Sequence, residues 1–190
     1  VENVCTDNKD SGVSLMGESN SSLVRNQCCD NDNYGLQVTD SAECCCCENE
    51  FVSNDVAGIA FSGCAGGNVK SNQCSNNIEY GIEVREQADP LLESNKCNDN
   101  GQFGILYSDT AAGKAINNIA IYNLIGSIEV NDQASPFLGD NLCRASQFVN
   151  KDYYDEAFPD YCKGCRENLW KGWTILGNDP EWSYGVPTSK

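Results

Sequence analysis

Asparagine returns every 23 residues through three quarters of this chain, at Asn3, Asn26, Asn49, Asn72, Asn95, Asn118 and Asn141. A second series keeps the same register at Asn8, Asn31, Asn54, Asn77, Asn100 and Asn123. A fixed period of this length requires one structural unit repeated along an axis, each copy packed on the next, which is a solenoid. Aligning the chain at this period brings out further columns. Glycine recurs at Gly12, Gly35, Gly58, Gly81 and Gly104 and gives way to Ser127. An aliphatic residue always follows (Val13, Leu36, Ile59, Ile82, Ile105, Ile128), and two positions later come Leu15, Val38, Phe61, Val84, Tyr107 and Val130. A small residue recurs at Ala42, Ala65, Ala88, Ala111 and Ala134. Two more inward columns are Leu23, Cys46, Val69, Leu92, Ala115, Leu138 and Cys5, Cys28, Phe51, Cys74, Cys97, Ala120, Cys143.

Apolar residues two apart mark short strands whose alternate side chains face one core. Glycine and asparagine at fixed offsets mark corners, where positive φ or local side-chain hydrogen bonding is expected. Three short strands and three corners per unit predict an all-β, single-stranded right-handed parallel β-helix of about six coils. Equivalent residues then stack about 4.8 Å apart, and each asparagine amide can donate to the next carbonyl. A leucine-rich repeat has a similar period, but its strand needs a second leucine where this unit carries the Asn95-type residue.

The period stops after Asn141, so residues 1–143 form the expected β-helix and 144–190 an irregular C-terminal segment. All three tryptophans, Trp170, Trp173 and Trp182, lie in that segment with Tyr184. A solenoid end needs a cap. Tryptophan and tyrosine also dominate interface hot spots, so these four residues are candidates for docking a protein partner.

The stretch from Ala88 through Asn95 and Asn100 to Gly104-Ile-Leu-Tyr107 resembles the right-handed parallel β-helix repeat family. That family includes pectate-lyase-like carbohydrate proteins and mannuronan C5-epimerases. The resemblance implies the fold and speaks less to activity, because the shared motif builds the scaffold. It also implies where chemistry would sit: on the outer face of one sheet, as a ladder of side chains along a polymer.

On that face the residues between the inward pair are Ser14, Gln37, Ala60, Glu83, Leu106 and Glu129. Glu83, Arg85, Asp109 and Glu129 are the candidate catalytic set there, the two glutamates about 10 Å apart across two rungs. Tyr34, Tyr80 and Phe103 share a column before the corner glycine and are candidates for stacking sugar rings. The acidic file Asp40, Glu86, Asp109 and Asp132 could hold Ca²⁺. Against catalysis, the chain contains no histidine, so the histidine-bearing motifs of epimerases and polygalacturonases are absent. A solvated acidic face is expected instead.

The net charge of −16 argues against nucleic acid and anionic surfaces as partners. No membrane-inserting run is present. Thirteen cysteines point to an extracellular, secretory or other oxidising lumen. Cysteines one coil apart have parallel side chains too widely spaced for easy bridging, so the Cys5, Cys28, Cys74, Cys97, Cys143 column reads as inward thiols. Cys162 with Cys165, and Cys44 with Cys64, are the disulfide candidates. Asn20-Ser21-Ser22 is an acceptor sequence for a glycan at an expected corner. No metal site is assigned to the thiols.

The leading expectation is a non-catalytic structural or interaction module, a scaffold component of a larger extracellular or luminal assembly. The alternative is a polysaccharide-binding or polysaccharide-modifying β-helix acting through the Glu83 face.

Overall fold

The computed structural model describes residues 1–145. Sixteen strands, numbered along the chain, wind through these described residues into three parallel faces. The first sheet contains β1 (Val13–Leu15), β3 (Leu36–Val38), β6 (Ala57–Phe61), β9 (Tyr80–Val84), β11 (Phe103–Tyr107) and β14 (Gly126–Val130), in that order. The second contains β2 (Asn20–Val24), β4 (Glu43–Cys47), β7 (Gly66–Lys70), β10 (Asp89–Glu93), β12 (Lys114–Ile116) and β15 (Phe137–Gly139). The third face is narrower: β5 (Glu50–Val52) pairs with β8 (Gln73–Ser75), and β13 (Ile119–Asn123) with β16 (Leu142–Ala145). Bridges from Val4 to Gln27, Gln27 to Glu50, Gln73 to Lys96 and Lys96 to Ile119 carry it through the remaining coils.

Register follows the sequence period. Ile59 lies beside Ile82, Ile82 beside Ile105 and Ile105 beside Ile128. These isoleucines, with Leu36, Val38, Val69, Val84 and Leu92, are fully buried in a core that runs the length of the solenoid. The asparagines form two internal ladders. Asn49 Nδ2 donates to Asn72 Oδ1 (2.8 Å), and Asn72 Nδ2 to Asn95 Oδ1 (3.0 Å). The same Asn72 oxygen accepts the Asn49 backbone N–H (3.0 Å), while Asn72 Nδ2 also donates to the Cys46 carbonyl (3.0 Å). One side chain thus satisfies buried backbone groups at a corner where the strand ladder cannot.

The corners are made differently from the expectation. The recurring glycines at 35, 58 and 81 do not carry positive φ. They are required by close approach: a Cβ on Gly81 would stand 2.5 Å from the Gly104 carbonyl oxygen. Left-handed backbone falls instead on polar residues at three positions per coil, such as Glu86 (φ 59°), Ser94 (φ 56°) and Asp99 (φ 56°).

Two cysteine expectations need correction. Cys44 and Cys64 are both free. Cys44 points into the core from β4, whereas Cys64 is exposed in the turn before β7, so their side chains diverge. Cys28, Cys74 and Cys97 are buried free thiols as the column predicts, and burial lifts Cys28 to about 12. Cys143 departs from the column, being buried and disulfide-bonded. Cys162 and Cys165 lie outside the described residues.

Candidate ligand face on the first sheet

Strands place alternate side chains outward, and the register of β6, β9, β11 and β14 sets Ala60, Glu83, Leu106 and Glu129 side by side on the outer face. This part of the face is not the solvated surface expected. Glu83 is 7% exposed and Glu129 4%. Burial pushes the Glu83 carboxyl up, with Arg85 pulling the other way and Glu79 and Asp109 adding to the rise. Burial likewise pushes Glu129 up to about 7. One oxygen of each carboxylate, Glu83 Oε2 and Glu129 Oε2, is buried without a hydrogen-bond partner.

Arg85 leaves β9 on the same side and ties its own coil to the one two coils before it. Its Nη1 lies 3.6 Å from Glu83 Oε1, and its Nη2 donates to the Tyr34 hydroxyl oxygen at 3.4 Å. Tyr34 lies in the Tyr80 and Phe103 column, but its ring packs in a cluster with Ala57 and Ala60, flanked by Val56 and Tyr80. The two alanines are what make room: a larger residue at either position would occupy the space the ring fills. Tyr80 and Phe103 come together one coil apart, rings 12° from parallel with centroids 6.5 Å apart. The Tyr80 hydroxyl donates to Gln102 Oε1 (3.3 Å). Arg85 and Asp109 flank the glutamate file, Arg85 half-buried and Asp109 exposed.

The acidic file has a structural task. Asp40 accepts the Gly17 N–H (2.8 Å), Glu86 the Gly63 N–H (2.8 Å), Asp109 the Glu86 N–H (3.0 Å) and Asp132 the Asp109 N–H (3.1 Å). Each carboxylate therefore serves the left-handed corner of the preceding coil. Among the described residues no group of three acidic, thiol or imidazole side chains converges as a cation site would require. Asn20 is exposed at the start of β2, in a strand instead of the expected corner. Trp170, Trp173, Trp182 and Tyr184 lie outside the described residues. Sequence reading missed the contributions of Glu79 and Gln102, and it missed the contact of Tyr34 with Arg85. That contact spans 51 residues, an offset that is no multiple of the period.

Three parallel faces wound around an asparagine-laddered core define a β-helix with a mixed aromatic and carboxylate outer face. Residues 11–153 match the family described as right handed beta helix region, and the chain belongs to it. Among solved structures, a double mutant of the periplasmic alginate epimerase AlgG is similar in fold, with a TM-score of 0.67 and 19% identity. The alignment covers 77% of this chain and 39% of that one, so the chain spans well under half of that structure's length. No curated protein matches the chain. No helix among the described residues is long and apolar enough to cross a membrane.

Proposed function

We propose that this protein is a polysaccharide-binding β-helix, with the glycan lying along the solenoid axis on the outer face of the first sheet. The observation that carries the reading is the Tyr34–Arg85–Glu83 set, drawn from two coils beside the paired rings of Tyr80 and Phe103. Aromatic surface next to fixed polar groups is how proteins take up sugars: ring faces cover C–H surface, and the polar groups fix orientation. Rungs of about 4.8 Å let a periodic polymer meet equivalent groups on successive coils. The fold similarity to an alginate epimerase supports a polysaccharide, and an extracytoplasmic location goes with the reading as it does for that periplasmic enzyme.

The reading is one of binding, and no reaction is assigned to the face. The scaffold role expected from the sequence rests on Trp170, Trp173, Trp182 and Tyr184, outside the described residues. A polysaccharide pull-down comparing the wild type with a Glu83→Ala, Arg85→Ala double variant tests the proposal. Retention by the wild type and its loss in the variant are expected. Equal retention of both proteins would remove this face from the account.

A further inference from the structure

We infer that the ligand is a neutral, hydroxyl-rich polysaccharide and that Glu83 and Glu129 receive its hydroxyl protons as hydrogen bonds; this rests on the binding role proposed above. Two independent features point the same way. The first is the surplus of hydrogen-bond acceptors. Glu83 Oε2 and Glu129 Oε2 are buried side-chain oxygens with no donor, two rungs apart on one file. A buried acceptor without a donor is costly, about 1–3 kcal/mol for a neutral group and more for a charged one. Sugar hydroxyls are donors and can fill that vacancy. A uronate carboxylate is itself an acceptor and would place oxygen against oxygen. To meet the ligand the two carboxyl groups must turn outward past the adjoining file, where Ser62 is buried, Thr39, Arg85 and Ser108 are half-buried and Asn131 is exposed.

The second feature is charge. A polyuronate carries one negative charge per sugar and is held by unpaired cations or bridging metal. On this face the cation at hand is Arg85, whose Nη1 faces Glu83 and whose Nη2 donates to the Tyr34 hydroxyl, leaving only the buried Nε without a partner. Beside the Arg85–Glu83 pair stand Glu79, Glu86 and Asp109, with Glu129 two rungs further along, on a chain of net charge −16. The carboxylates available for a calcium bridge are spread one per coil along the corner file, each accepting a backbone N–H. The face therefore repels the class of polymer that the epimerase of similar fold is named for, while keeping groups that suit an uncharged one.

The test is native affinity electrophoresis in gels containing EDTA and cast with neutral polysaccharides (a β-glucan, a xylan and a galactomannan) or with sodium alginate. Retardation by at least one neutral polymer and none by alginate is expected. Retardation by alginate in EDTA, weakening as salt is raised, would overturn the inference and leave the binding role standing. No retardation by any polymer would overturn both. Glu129→Gln then probes the acceptor itself, since the amide keeps the shape but replaces one accepting oxygen with a donor. Measured at about pH 8, where the Glu129 carboxyl is ionised, its dissociation constant for the neutral polymer should rise about tenfold or more, the effect of losing one charge-assisted hydrogen bond. An unchanged constant in a variant that unfolds at or above the wild-type midpoint would remove Glu129 from the site.

Discussion

Arg85 donates to the hydroxyl of Tyr34 from two coils away, tying β9 to the corner that precedes β3. The bond is long at 3.4 Å and half-exposed, so its net stabilisation is small, whereas the ring beneath it is 7% exposed. Tyr34→Phe should therefore cost under about 1 kcal/mol, and Tyr34→Ala about 3 kcal/mol, through the cavity left over Ala57 and Ala60. Urea denaturation measures both. Equal losses would mean that the hydroxyl, and not the ring, holds the corner.

The asparagine ladder predicts a strong dependence on position. Asn72→Ala would remove bonds to the Asn49 N–H, the Asn49 amide, the Cys46 carbonyl and the Asn95 oxygen, all in the interior. The Asn49 amide keeps the Leu23 carbonyl and the Asn95 oxygen keeps the backbone N–H of residue 72, so the Asn49 N–H is the main group orphaned and the expected loss is about 3 kcal/mol. Asn3→Ala, at the exposed first rung, should cost under about 1 kcal/mol. Comparable losses at the two sites would contradict a cooperative internal ladder.

For the glycines the order of sensitivity is the reverse of what backbone angles alone would give. Gly17 has φ +68° yet nothing within 4 Å of an added Cβ, so Gly17→Ala carries only the left-handed penalty of about 1 kcal/mol. Gly81 would drive a Cβ to 2.5 Å from the Gly104 carbonyl oxygen. Gly81→Ala should cost at least twice as much, since two coils must separate to admit the methyl group. Thermal unfolding of the two variants ranks them.

The fold was legible because each coil repeats one pattern: a column such as Leu36, Ile59, Ile82, Ile105, Ile128 has a single explanation. Ser127 also makes sense once the close approach is known. The carbonyl facing Gly104 belongs to Ser127 itself, and Ser127, at the end of that column, accepts the Arg144 N–H on its hydroxyl (3.1 Å). The site was legible only in part. Glu83 lies on the outer face that alternation assigns it, with Arg85 on the same side, because alternation fixes which side a strand residue takes. The burial of Glu83 and Glu129 was not, since alternation says nothing about what lies over an outer face. Nor could the sequence show that Asp109 and Asp132 serve backbone N–H groups one coil back. Aspartate at a corner reads equally as a metal ligand or as a cap until the direction of its carboxylate is known.

Glu129 makes stability depend on pH in a defined direction. Its folded-state value of about 7 lies above the ordinary 4.5, so between these limits the folded protein binds more protons than the unfolded chain. Stability contributed by this group is full below about pH 4.5, falls as pH rises and levels off above about pH 7. The loss from Glu129 over that window should be about 2–3 kcal/mol, and Glu129→Gln should remove that share while leaving the part contributed by Glu83, whose carboxyl burial also raises. A variant that retains the full pH slope would show that another group carries it.

The most direct test of the binding face is hydroxyl-radical footprinting of the protein with and without a saturating neutral polysaccharide. Protection is expected at Tyr80 and Phe103 and at the neighbouring Arg85. Tyr122 and Phe137, exposed on the third face and the second sheet, should be oxidised as fast as in the free protein. Protection at Tyr122 or Phe137 with none at Tyr80 and Phe103 would place the ligand elsewhere on the solenoid and contradict the account.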